Sequence, residues 1–98
     1  MLNSKQRAFL RKIAHGIDPI VHIGKAGVTP DLTESLDNAL EAREIVKINV
    51  LNNCVMDIRE IADILHGRTH SEVVQTIGNK AVFYRKSKKK PVIELPKN

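Results

Sequence analysis

The sequence predicts a single α/β domain in the order α-β-α-β-α-β-β, with three helices on a mixed four-stranded sheet. Three observations carry this. Apolar residues recur at helical spacing in three separate stretches, and each stretch is followed by a short β-branched run. The last two such runs flank Gly78-Asn79, a favoured two-residue hairpin turn. The chain has 98 residues, which fits one domain, and its 42% apolar content suits a packed core better than disorder. Strands separated by helices favour parallel crossovers, and the closing hairpin adds an antiparallel pair.

The first helix is expected over residues 3–15, NSKQRAFLRKIAH, capped by Asn3 or Ser4. Ala8, Phe9 and Ile13, with Leu10 and Ala14, give its apolar stripe. Lys5, Arg7, Arg11 and Lys12 are placed on the other side, and Gly16 offers a left-handed stop. Asp18-Pro19 starts an extended segment, and Ile20-Val21-His22-Ile23 reads as a buried strand. Thr29-Pro30-Asp31 then opens a second helix: Thr29 caps, Pro30 suits the first turn, and Asp31 complements the dipole. Leu32, Leu36, Ala39 and Leu40 face inward, with Glu34, Asp37 and Glu41 outside. Ile45 to Leu51 is the next strand, with Val46, Ile48 and Val50 on one face, and Asn52-Asn53 is a turn. A third helix is expected from Met56 to Leu65, stopped by Gly67. Strands follow at Glu72 to Ile77 and Lys80 to Arg85. Val92 to Leu95 reads as a possible last edge strand beyond a charged connection.

Charge is segregated along the chain. Residues 1–30 carry five Lys/Arg against one acid, a net of +4. Residues 31–72 carry four against nine, a net of −5, and residues 73–98 carry seven against one, a net of +6. If the fold brings both ends to one face, that face suits a polyanion. A solvated surface with a basic tail from about residue 86 is the plainer alternative. Cys54 stands alone, so no internal disulfide forms, and a cytoplasmic location is expected. No apolar run approaches a membrane span, and no signal peptide is evident.

The stretch HIGKAGVTPDL holds a Gly24-Lys25-Ala26-Gly27 frame between a strand and a helix start. It is not a Walker loop, and it lacks the third glycine of a dinucleotide fingerprint. Two readings remain. The glycines simply turn the chain, or they form a GxxG loop that clamps a nucleic-acid backbone, as in KH-type modules. In the second reading the missing Cβ atoms permit close approach, Lys25 adds a charge, and free amides near Thr29 to Leu32 attract phosphate.

The chain resembles the CRM-domain family, in particular its bacterial stand-alone YhbY-like members. The resemblance is carried by SKQRAFLRKIAH, PIVHIGKAGVT, LEAREIVKINV and VVQTIGNKAVFYRKSKK with VIELP, almost end to end. It implies a fold similar to the C-terminal domain of bacterial translation initiation factor three. It also implies RNA binding through Gly24, Lys25, Ala26 and Gly27, and association with precursors of the large ribosomal subunit. Ala26 departs from the polar or basic residues usual in that loop, so any contact there comes from its main chain.

The first helix and the hairpin can lie beside this loop, which gives a candidate RNA-binding face of Lys5, Arg7, Arg11, Lys12, Lys25, Lys80, Arg85, Lys86 and Lys88, with Lys25 and Arg85 foremost. Tyr84 is placed equally by base stacking and by core burial, while Phe9 and Phe83 read as core. His66 and His70 are separated by Gly67, which breaks a helical ligand pair, and no metal or cofactor is expected. The carboxylates of the middle segment read as solubility features, and no catalytic constellation is apparent. The expected function is therefore non-enzymatic: an RNA-binding protein, a monomer, that assists ribosome assembly. Its expected partner is large-subunit ribosomal RNA precursor, with ribosomal proteins or assembly factors beside it and no membrane. A protein–protein adaptor and a small enzyme on a phosphate-bearing ligand are the alternatives.

Overall fold

A computed structural model of the chain describes residues 2–97. It contains α1 (Ser4–Ala14), β1 (Val21–Ile23), α2 (Pro30–Arg43), β2 (Ile45–Val50), α3 (Ile58–Thr69), β3 (Glu72–Ile77) and β4 (Lys80–Tyr84). The four strands form one sheet in the order β1-β2-β4-β3. β1 and β2 are parallel, and the other two pairings are antiparallel. The expected architecture of three helices and a mixed four-stranded sheet is therefore present.

Each face of the sheet has its own core. On one face Leu36 and Leu40 of α2 and Ile61, Ala62 and Leu65 of α3 pack on Val46, Ile48, Ala81 and Phe83. On the other face Leu10 and Ala14 of α1 pack on Ile45, Val74, Val82 and Tyr84. Period-two alternation along β2 and β4 sends successive side chains to the two cores, so residues 45–50 carry apolar groups on both sides. That burial is the main stabilising term for a chain this small.

Local chemistry explains the helix ends. Asn3 caps α1 in a capping box: its side chain accepts from the Gln6 amide at 2.8 Å, and the Gln6 side chain accepts from the Asn3 amide at 3.1 Å. Thr29 caps α2, accepting from the Leu32 amide at 3.1 Å. α3 begins later and ends later than Met56 to Leu65. Asp57 is its cap, the helix runs through Gly67, and His70 takes the left-handed position at φ +55°. Gly67 is exposed, so its missing side chain costs only propensity, whereas Leu65 and Thr69 are buried and hold the last turn in place. Gly16 likewise is not left-handed. α1 ends on His15, whose amide reaches the Arg11 carbonyl at 3.2 Å.

Three further expectations are corrected. The apolar stripe of α1 is centred on Leu10 and Ala14, flanked by Ile13 and Ile17, and leaves Ala8 and Phe9 exposed. His22 is exposed, because β1 is covered on one face only. Val92 to Leu95 does not join the sheet. Ile93 and Leu95 instead pack on the α1-side core, so the tail lies over the sheet and not beside it.

Candidate nucleic-acid interface

The Gly24–Gly27 frame is a tight turn closed by the Gly27 amide donating to the Gly24 carbonyl at 3.0 Å. Lys25 and Ala26 form its exposed tip. Gly27 has φ +68°, and a Cβ there would meet Met56 Sδ at 2.9 Å; a Cβ on Gly24 would meet Asn53 Oδ1 at 3.4 Å. Both missing side chains therefore point at the protein's own 51–56 loop. The turn reading of the glycines is satisfied by the fold itself, and only the tip faces solvent.

The start of α2 offers less to an anion than its sequence suggests. Pro30 has no amide proton, the Leu32 amide is taken by Thr29 Oγ1, and Asp31 places a negative charge in the first turn. The positive charge nearest the turn in sequence is Lys25.

The loops at this end are tied together. The Leu51 amide donates to the Ile23 carbonyl at 2.8 Å. Asn79 accepts from the Val50 amide at 2.7 Å and donates through Nδ2 to the Val50 carbonyl at 3.0 Å. The GxxG turn, the 51–56 loop and the Gly78-Asn79 turn thus share one end of the sheet. Lys80 pairs with Asn49, which pairs with His22, so Lys80 stands two strands from β1, roughly 10 Å away. Val55 lies in the same loop cluster and is 95% exposed.

Several of the other candidate cations, Lys5, Arg7, Arg85, Lys86 and Lys88, lie elsewhere or are turned inward. Tyr84 pairs with Ile45 and Glu72 at the opposite end of the sheet, where Lys86 and Lys88 follow. Lys5 belongs to the same far end, because α1 starts there: the Leu2 amide donates to Glu72 Oε1 at 3.0 Å. Arg7 is turned inward, with Nη1 donating to the carbonyls of Val73 and Val74. Those carbonyls flank the irregularity in the β3–β4 register, so Arg7 satisfies a β-bulge. Arg11 is half-buried and Lys12 exposed.

Arg85, foremost in the sequence reading, is committed within the fold. Nη1 donates to Asp37 Oδ1 and to the Thr69 carbonyl at 2.7 Å, Nη2 donates to the Asp37 carbonyl at 3.0 Å, and Glu41 lies 3.8 Å away. Tyr84 is 6% exposed and Phe83 fully buried, so neither ring is presented for stacking. Burial, and then the Glu44 charge, push the Tyr84 hydroxyl above its ordinary pKa.

Three carboxylates, Asp37 and Glu41 of α2 and its C-cap Glu44, are not the solubility features expected of them, whereas Asp31 and Glu34 are exposed. Glu41 accepts from Ser87 Oγ at 2.7 Å and from the amides of Lys88 and Lys89. Glu44 is fully buried and accepts from the amides of Ser87 (2.7 Å), Val92 (2.7 Å) and Ile93 (2.6 Å). Burial alone would raise the Glu44 carboxyl. The amides of Ile93, Ser87 and Val92, with Lys86 nearby, more than offset it and hold the group below its ordinary 4.5. The Ser87 hydroxyl, then the Lys89 and Lys88 amides, lower Glu41 in the same way. Asp37, Glu41 and Glu44 thus form one acidic stripe that fastens Arg85 and the basic tail. Both glutamates have depressed folded pKa values, so their stabilisation is complete above the unfolded value near 4.5 and is lost as pH falls below it. Denaturant melts should therefore show a plateau at neutral pH and a decline beginning near pH 4.5. Stability that stays flat well into the acid range would contradict this role.

Among the described residues no cluster of three or more His, Cys, Asp or Glu is placed to hold a metal ion. His66 Nδ1 lies 3.2 Å from the Ser71 carbonyl, a helix-end contact. No helix of the described residues is long and apolar enough to cross a membrane.

A family model described as the CRS1 / YhbY (CRM) domain matches residues 2–85. "Probable RNA-binding protein YqeI" of Bacillus subtilis is 46% identical over 96 residues, covering 98% of this chain and all of that protein. A Haemophilus influenzae protein named "RNA-binding protein" is 33% identical, covering 98% of this chain and 96% of its own length. The solution structure of the hypothetical protein SAV1595 from Staphylococcus aureus superposes with a TM-score of 0.81 at 47% identity, covering 98% of this chain and all of that one.

Proposed function

The chain belongs to the CRS1 / YhbY (CRM) domain family, and from that premise we propose that it is an RNA-binding protein whose GxxG turn holds the RNA backbone. The observation that carries the reading is the geometry of the turn. Gly24 and Gly27, lacking side chains, let the loop pass close to Asn53 and Met56, and Lys25 and the Ala26 main chain face solvent at the end of the sheet that also carries Lys80. The names of the two relatives support RNA as the ligand. The contact is electrostatic and main-chain in character, with Lys25 and Lys80 central and Lys12 a further contributor; Arg7 and Arg85 serve the fold. We assign the protein a non-enzymatic role in assembly of the large ribosomal subunit in the cytoplasm, acting as a monomer on precursor ribosomal RNA.

The test is a titration against a large-subunit ribosomal RNA fragment over a range of salt, with the native protein and a Lys25→Asp, Ala26→Asp variant. Neutralising about four to five single-strand phosphates gives a log–log salt slope of roughly −3 to −3.5. The variant should keep its fold, because both residues are exposed, and lose most of the affinity. Equal binding by the two proteins would move the site away from the turn. Binding only to ribosomal proteins, surviving nuclease treatment, would favour the adaptor role.

A further inference from the structure

α1 covers only part of its face of the sheet. Leu10 and Ala14 seal Ile45, Val74, Val82 and Tyr84. Beyond the end of α1 the strands carry Lys47, Asn49, Gln75, Ile77, Lys80 and His22 on that same face, by register and alternation. Ala14 and His15 border this open area, and together with Lys47, Gln75, Ile77, Lys80 and Val82 they line a shallow groove. Ile77 is 59% exposed although it lies within a strand. The groove opens at the end of the sheet where β1 runs into the GxxG turn.

We propose that this groove receives the nucleobases of single-stranded RNA whose backbone passes the GxxG turn. The inference rests on the RNA-binding reading above and names the part of the ligand that the turn cannot read. Three observations favour this occupant. The first is charge: Lys47 and Lys80 face the groove, and no Asp or Glu occupies its strand positions. The second is side-chain type. Unpaired bases are held by rings, apolar surface and amides, and His22, Ile77, Asn49 and Gln75 supply these at one surface. The third is unused hydrogen-bonding capacity. Asn49 Nδ2 has only a long contact, 3.5 Å, to His22 Nδ1, and Asn49 Oδ1 is buried beneath the surface with no partner among the described residues. A base edge can satisfy both side chains once they turn toward it.

The experiment compares two ligands. One is a short labelled single-stranded RNA oligomer, and the other is an abasic oligomer of equal length with the same backbone charge. The native protein should prefer the oligomer with bases by about ten-fold or more. A His22→Ala, Ile77→Ser variant changes only exposed side chains and should melt as the native protein does. It should bind the abasic oligomer as well as the native protein does and show no preference for bases. A variant that keeps the preference, or a native protein that binds both oligomers equally, would overturn the groove while leaving backbone binding at the turn intact. Absence of binding to either oligomer while the ribosomal RNA fragment is still bound would overturn the groove alone, and absence of binding to all three would overturn the RNA reading with it.

Discussion

Replacing Glu44 with Ala is expected to destabilise the protein by about 2–4 kcal/mol, lowering Tm by roughly 10–25 °C. The argument starts from the donors. Three amides, of Ser87, Val92 and Ile93, converge on one buried carboxylate at 2.6–2.7 Å. Hydrogen bonds to an ionised acceptor are stronger than neutral ones, and removing the acceptor leaves donors partly enclosed. The Val92 and Ile93 amides can recover water by lifting the tail, so the loss should appear in two ways. Global stability falls, and limited trypsin digestion after Lys86, Lys88 and Lys89 speeds up more than the stability change alone explains. A second variant separates the carboxylate from the backbone. Glu44 has φ +67°, a conformation that costs a non-glycine residue about 1 kcal/mol or more. Glu44→Gly removes the carboxylate and relieves that strain, so it should be less damaging than Glu44→Ala. An alanine variant that melts with the native protein would show that the tail is held by Ile93 and Leu95 alone.

The acidic stripe also shows where sequence reasoning stops. Asp37, Glu41 and Glu44 are spaced four and three apart, which places them on one helix face. Read in isolation, such a face is solvent-exposed. Its partners, Arg85 and the amides of residues 87–93, come from the far end of the chain and are chosen by tertiary packing. One local signal was present. The segment LEAREIVKINV passes from helix to strand with an acid at the helix C-terminus, where the dipole disfavours it, and without the usual glycine. An acid kept there needs a reason, and the tail amides are that reason.

Elements with strong local codes were legible. The Asn3 and Thr29 caps, the inward residues of α2, the alternation of β2 and the Gly78 turn, with φ +57°, all follow from chemistry within a few residues. Local codes give way where burial by a remote element decides the outcome. The expected stripe of α1 holds for Leu10, Ile13 and Ala14 and fails only for Ala8 and Phe9, which the helix turns to solvent because the sheet lies against Leu10 and Ala14. Gly67 was a plausible stop, but the buried contacts of Thr69 carry the helix past it, with its hydroxyl bonded to the Leu65 carbonyl at 2.8 Å and to Ser71 Oγ at 2.7 Å. The candidate site was legible as a loop and not as a surface. Lys25 and Lys80 do share one end of the sheet, whereas the sequence gives no sign that Arg7 and Arg85 face inward.

Gly27→Val is expected to disrupt the turn, and the cause can be divided into two parts. The first is conformational. Gly27 sits at φ +68°, where a β-branched residue is a severe outlier. The second is steric, since a Cβ would lie 2.9 Å from Met56 Sδ. Together these should cost about 2–4 kcal/mol and remove RNA binding by displacing the tip. Met56 is a flexible side chain, so the steric part can be removed by itself. Gly27→Ala in a Met56→Ala background keeps only the conformational cost, and it should be more stable than the sum of the two single changes implies. Gly24→Ala provides the contrast, because φ there is not positive and the nearest atom to a new Cβ is 3.4 Å away on the exposed Asn53 side chain. That variant should fold normally. If it also binds RNA as the native protein does, the missing Cβ at Gly24 serves the turn, and the clamp runs through Lys25 and the main chain of Ala26. If it folds normally but loses RNA affinity, the backbone of the ligand must press against Gly24 itself, and the 51–56 loop must move aside to admit it.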